Sequence, residues 1–198
     1  VFAVLAHENS GAATLRLFRQ RKDAPMAKPA TVKLHPSKNP QKENVRGAMV
    51  ALLQKHLGTA IDLSYQCKQA HWNVKGMNFI AVHKLFDELH EATEAFVDLI
   101  AERLTGMGGQ AQGTVQAASA NTVLQPYPLD IVKSEDHLRR LSDSYSAWGK
   151  ALIEGIEEAD EAGDDLTADL LTEVGRGIST GLYFLESHFQ VEDAGHST

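Results

Sequence analysis

From residue 43 to residue 189 the apolar side chains recur at steps of three and four, and that spacing restricts the chain to helices. Val45, Met49, Leu52, Leu53, Leu57, Ala60 and Ile61 form a first stripe. Phe79, Val82, Phe86, Leu89, Thr93, Phe96 and Ile100 form a second, and Leu138, Leu141, Tyr145, Trp148, Leu152, Ile156 and Ala159 a third. The fourth runs Leu166, Leu170, Val174, Ile178, Leu182, Leu185 and Phe189. No segment carries a credible two-residue strand alternation. Four amphipathic helices, each with an apolar face to hide, predict an all-α four-helix bundle.

The punctuation agrees. Gly76 closes the first long stripe, and Gly106, Gly108 and Gly109 the second, as expected of helix C-termini. The stretch EEADEAGDDLTAD (157–169) is a short turn in which Asp164 or Asp165 is placed to cap the fourth helix. Residues 110–133 are much longer than a bundle loop requires. Residues 114–121 can form a short extra helix there, before the PYP break at 126–128. Such a crossover between helices two and three keeps neighbouring helices antiparallel in pairs.

Charge separates the chain into an arm and a body. Residues 1–42 carry eight basic side chains (Arg16, Arg19, Arg21, Lys22, Lys28, Lys33, Lys38, Lys42) against Glu8 and Asp23. That leaves +6 on this segment and −13 on residues 43–198 of a chain whose net charge is −7. Four prolines (Pro25, Pro29, Pro36, Pro40) and few large apolar residues read as a flexible arm, 1–42, ahead of a bundle at 43–190 and a tail at 191–198. Two readings of the arm's lysines stay open: solubility, or contact with nucleic-acid phosphates through residues such as Lys28, Lys33, Lys38 and Lys42. The single cysteine, Cys67, excludes an intrachain disulfide and is expected to be a small buried hydrophobe. No apolar run approaches the roughly 20 residues that span a bilayer. VFAVLA is too short for a signal-peptide core and has no basic residues before it, and Met26 is a candidate natural start.

The second helix carries the chemistry. At about 100° per residue, His83, Asp87, Asp98 and Glu102 fall near 0°, 40°, 60° and 100°, a single stripe. His83 with Asp87 and Asp98 with Glu102 are i, i+4 pairs that can each converge on one ion. Imidazole and carboxylate together suit iron, manganese or zinc. Asp87 and Asp98, however, lie roughly 16 Å apart along a helix, so one helix cannot bring both pairs to one metal. Two copies crossing antiparallel near residue 92 or 93 can. Residue x then faces residue 185 − x, so His83 meets Glu102 and Asp87 meets Asp98, twice over, as an isologous interface demands. His71, at the end of the first helix, is placed to add a second imidazole. No Glu stands three residues before a His, so the paired motif of single-subunit di-iron bundles is missing. No nucleophile–base pair supports hydrolysis.

At these residues the sequence resembles the Dps family, the bacterial DNA-protecting mini-ferritins. The resemblance rests on HWNVKGMNFIAVHKLFDEL (71–89) and DLIAE (98–102), and extends through LTGMGG (104–109), PYPLDIVKSEDHL (126–138) and DDLTADLLTEVGRGISTGLYFLESHF (164–189). It implies a ferritin-like four-helix bundle with the short helix in the crossover at the dimer interface. It also implies a hollow homododecamer built on two-fold and three-fold interfaces. The ferroxidase set would be His71, His83 and Asp87 from one subunit with Asp98 and Glu102 from another. These would bind iron and oxidise Fe(II), preferentially with hydrogen peroxide, for storage as ferric mineral and protection from oxidative stress. Trp72 corresponds to a tryptophan that absorbs stray oxidising equivalents, with interface packing as its other role. Asp164, Asp165 and Asp169 correspond to acids lining three-fold pores, with capping and solvated-turn roles as the alternative. A cytoplasmic protein of the stress response is implied, nucleoid-associated if the arm binds DNA. Glu91 and Glu94 lie near the two-fold crossing as accessory ligands or as solvent-facing acids. His7, His35 and His196 lie in the tails.

Overall fold

The structure is a computed structural model that describes residues 33–191. The chain divides into two units, 1–31 and 32–198, and the fold described is that of the second. Among the described residues five helices follow in order: α1 (Glu43–Asn73), α2 (Phe79–Gly106), α3 (Val115–Asn121), α4 (Ser134–Ala162) and α5 (Asp165–Glu186). Among the described residues there is no strand, only a single bridge between Lys75 and Lys133. No described helix is long and apolar enough to cross a membrane.

The four long helices match the four stripes, and the short α3 lies in the crossover. Side-chain pairs give the directions. His71 meets His83 while Ser64 meets His90, so α1 and α2 run antiparallel. A Cβ at Gly181 would strike Tyr145 while one at Gly149 would touch Ile178, so α4 and α5 do too. The faces between the pairs bury Trp148, Tyr145, Phe86, Met49, Leu53, Leu63, Ile100 and Leu104. Full burial of such side chains contributes roughly 1.5–3 kcal/mol each.

Polar groups inside this core are mostly paired with one another. The Tyr145 hydroxyl lies 3.2 Å from Thr93 Oγ1 and 3.8 Å from Cys67 Sγ, and donates to the Leu89 carbonyl at 3.4 Å. Burial pushes the Cys67 thiol up to about 12, so it stays a protonated, small apolar group, as expected. Trp148 donates its indole N–H to His56 Nδ1 at 3.2 Å. The His56 imidazole is buried, and desolvation, with Lys55 adding a little, lowers its pKa to about 4.

The helix ends follow local rules. α4 stops at Gly163, whose φ of 72° is left-handed. Gly163 N–H donates to Asp160 O and Asp164 N–H to Ala159 O, the paired closure of a Schellman motif. One residue later Asp164 caps α5 by accepting from Thr167 N. Thr114 caps α3 by accepting from Ala117 N. The short helix presses so closely on α1 that a Cβ at Gly58 would sit 2.8 Å from Asn121 Cβ. Residues 33–42, read from the sequence as part of the arm, have fixed attachments. His35 N–H donates to Gly108 O at 2.7 Å, and Gln41 Nε2 to Gly163 O at 3.0 Å.

Candidate metal centre

The five-residue link 74–78 folds α2 back so that the last turn of α1 faces the first turns of α2. His71 and His83 stack there, ring centroids 3.7 Å apart. Each ring is tied to the other's backbone: His71 Nδ1 lies 2.9 Å from the His83 carbonyl, and His83 Nδ1 lies 2.8 Å from the His71 carbonyl. A carbonyl only accepts, so both Nδ1 atoms carry the proton and both Nε2 lone pairs are left open. Metal-binding histidines are usually held in this way, with the second nitrogen donating to a fixed oxygen.

Asp87 follows one turn after His83. Its Oδ1 takes an ammonium hydrogen bond from Lys68 at 2.5 Å and stands 3.8 Å from His71 Nδ1. The Lys68 hydrogen bond, chiefly, holds the Asp87 carboxyl below the usual carboxylate range, with the charges of His71, Lys68 and His90 adding to it against a smaller desolvation cost. Asp98 and Glu102 lie farther along α2, both exposed, and neither carboxylate has a partner among the described residues. Among those residues no three His, Cys, Asp or Glu side chains of one chain come together as a metal site. One chain therefore presents two separate fragments: imidazoles with a carboxylate at one end of α2, and two open carboxylates toward the other. Imidazole nitrogen and carboxylate oxygen are a donor set suited to Fe(II). Trp72, beside His71, is 62% exposed, as are Ile80 and Tyr65 to similar extents. The fragment is thus bordered by apolar surface of the kind that marks a protein contact.

Asp164 departs from the pore reading. Its carboxylate is completely buried and accepts both an Arg103 bond pair, at 2.7 and 2.9 Å, and the Thr167 hydroxyl, at 2.6 Å. A carboxylate enclosed in this way within its own subunit is a cap and a clamp, and cannot line a pore. Asp165 and Asp169 are exposed. Lys33, Lys38 and Lys42 are exposed on the described part of the arm, while Lys28, His7 and His196 lie outside the described residues.

Three residues escaped the sequence reading. Lys68 looked like any charge on an amphipathic helix, although its place one turn before His71 was a signal. Arg103, next to Glu102, fastens the C-terminal end of α2 to the α4–α5 turn. His90 joins a buttress on the same stripe: Ser64 Oγ donates to Glu94 Oε2 at 2.6 Å and lies 2.8 Å from His90 Nδ1. Ser64 is buried and its proton is given to Glu94, so this trio is no nucleophile–base pair.

Comparison with known proteins places this geometry in a family. A ferritin-like domain family model matches residues 50–193. The DNA protection during starvation protein of Agrobacterium fabrum is 42% identical over 159 residues, covering 80% of this chain and 98% of that one. The protein of the same name from Mycolicibacterium smegmatis is 31% identical, covering 70% of this chain and 75% of its own. Among solved structures, DpsA14 from Streptomyces coelicolor superposes with a TM-score of 0.77 at 29% identity, covering 81% of this chain and 95% of that one. The chain belongs to the Dps family of ferritin-like proteins, a family of iron storage and DNA protection.

Proposed function

We propose that this protein oxidises Fe(II) to Fe(III) at sites shared by two subunits and stores the ferric product. One observation carries the reading. His71 and His83 each leave Nε2 open, and Asp87 Oδ1 lies 3.8 Å from His71 Nδ1, while Asp98 and Glu102 stand exposed and unpaired too far along α2 to join them. The two-fold relation that sends residue x to 185 − x unites the fragments, twice per dimer. The carboxylates neutralise and the imidazoles orient two Fe(II) ions brought close together. Hydrogen peroxide is the preferred oxidant: each iron gives one electron, the O–O bond breaks, and both oxygens leave as hydroxide, so no hydroxyl radical is released. Trp72 takes up stray oxidising equivalents or packs the interface. Asp165 and Asp169 line the three-fold pores of a homododecameric shell, and the ferric mineral fills its cavity. The protein acts in the bacterial cytoplasm.

The test is anaerobic Fe(II) loading followed by peroxide, read as ferric absorbance. The Asp98→Ala, Glu102→Ala double variant is expected to lose the rapid phase by roughly 100-fold or more, which corresponds to about 2.7 kcal/mol of barrier. An unchanged rate refutes the shared site. A second reading, DNA binding, is favoured by the basic arm and by the exposure of Lys33, Lys38 and Lys42. Repeated over a shell, such arms bind phosphates multivalently, and association with the nucleoid follows. Deleting residues 1–42 should abolish a low-salt gel shift and leave iron oxidation intact. A full-length protein that gives no shift sinks this second reading.

A further inference from the structure

The outer side of the α4–α5 pair carries a groove that the metal chemistry does not use. Gly181 lies against Tyr145 and Gly149 beside Ile178, a register that sets Lys150 of α4 opposite Arg176 of α5. Between them is a groove of about 540 Å³, with Tyr145, Leu152 and Ile178 in its floor and Ile153, Ile156 and Leu182 along its sides. Two glycines keep it clear. A Cβ at Gly175 meets nothing within 4 Å, and one at Gly149 meets only Ile178 Cγ2 at 3.8 Å. Ile153 is 62% exposed at its edge.

The charges around this floor are one-sided. Lys150 and Arg176 are exposed, and neither head group has an ion-pair or hydrogen-bond partner among the described residues. The lining includes no acid; Glu154 and Glu173, about one turn away on each helix, lie outside it. Two cations thus face each other across an apolar floor, on a body whose net charge is −13. Like charges so placed repel, and an anion set between them turns that repulsion into two attractions.

We infer that the α4–α5 groove binds an amphipathic organic anion, a fatty carboxylate whose chain covers the apolar floor and whose head bridges Lys150 and Arg176. The volume is that of a small-ligand site, largely apolar with a few placed polar groups. From Tyr145 to Ile156 the floor runs roughly 16 Å along α4, room for a medium-length acyl chain. Every lining residue comes from α4 or α5, whereas the two-fold crossing proposed above uses α1 and α2, so that contact leaves the groove open.

The experiment titrates the full-length protein with octanoate at low salt by calorimetry, and with 1-octanol as the uncharged match. Wild type is expected to take up about one octanoate per subunit and to bind the alcohol at least tenfold more weakly. The Lys150→Gln, Arg176→Gln double variant should lose octanoate affinity about tenfold and leave the alcohol unchanged. Gly175→Leu, which fills the groove, should weaken both ligands by about tenfold. No uptake by wild type overturns the proposal, as does equal affinity for acid and alcohol. So does unchanged octanoate affinity in the double variant, which alters only exposed side chains and decides the matter even where the leucine variant fails to fold. If Gly175→Leu stays folded but changes the size of the assembly by light scattering, a second copy of the chain fills the groove and the carboxylate site falls.

Discussion

His56 and His71 lie on the same helix, about four turns apart, and in opposite chemical states. His56 faces the core, where the Trp148 indole N–H points at its Nδ1. Its proton is therefore on Nε2, and no lone pair is left for a metal. His71 faces α2, where a carbonyl takes the Nδ1 proton and Nε2 is open. One residue type becomes a core filler or a candidate ligand according to what its Nδ1 meets. The helix supplies both environments because one stretch is enclosed on every side and the other ends at an exposed apolar margin. Changes at the core end should therefore cost stability and spare metal binding, and changes at the centre should do the reverse.

The largest effect expected is at the core-side clamp. Arg103→Met leaves the Asp164 carboxylate buried without its cation, and about 3–5 kcal/mol of stability should be lost. Denaturant midpoints measure this. A loss below about 1 kcal/mol would show that the clamp is ornamental and blur the contrast between the two regions. Next comes acid. Burial holds the His56 pKa at about 4 in the folded protein, below the ordinary imidazole value of about 6.5, so the unfolded chain takes up the proton first. Stability is complete above about pH 6.5 and falls as pH drops toward 4, by on the order of 3 kcal/mol. His56→Gln should flatten that slope, read from unfolding at pH 7 and pH 4.5. Gly58→Ala should cost about 1–3 kcal/mol by pushing α3 off α1, without altering Co(II) stoichiometry. Smallest in stability is His83→Ala, within about 1 kcal/mol of wild type, yet it should weaken Co(II) binding. If His83→Ala unfolds the protein, or Gly58→Ala abolishes metal uptake, the separation of core from centre is broken.

Periodicity made the helices legible, because a helix's buried face is written at steps of three and four whatever it packs against. The short α3 was legible from its length of chain and Thr114. The separation of the candidate ligands into two groups could be read because its logic is geometric: Asp87 and Asp98 are too far apart on one helix to share an ion. What escaped was pairing between helices. Asp164, Asp165 and Asp169 look alike in sequence, and only the approach of Arg103, sixty-one residues earlier, turns Asp164 inward. Lys68 and the Ser64–His90–Glu94 buttress were hidden for the same reason, since neither the register of α1 on α2 nor the reach of a lysine is recorded in spacing along one helix.

The crossed bonds between His71 and His83 have a consequence for how the centre responds to motion. Each ring is aimed by the other residue's main chain, so neither can be re-aimed alone. A slip of α1 along α2 by one residue, roughly 1.5 Å, would release both protons and let both lone pairs swing away together. The two donors thus behave as a single latch that is either set or open. On the proposed reading, metal affinity at this centre would be a gauge of helix alignment, sensitive to displacements far too small to unfold the bundle.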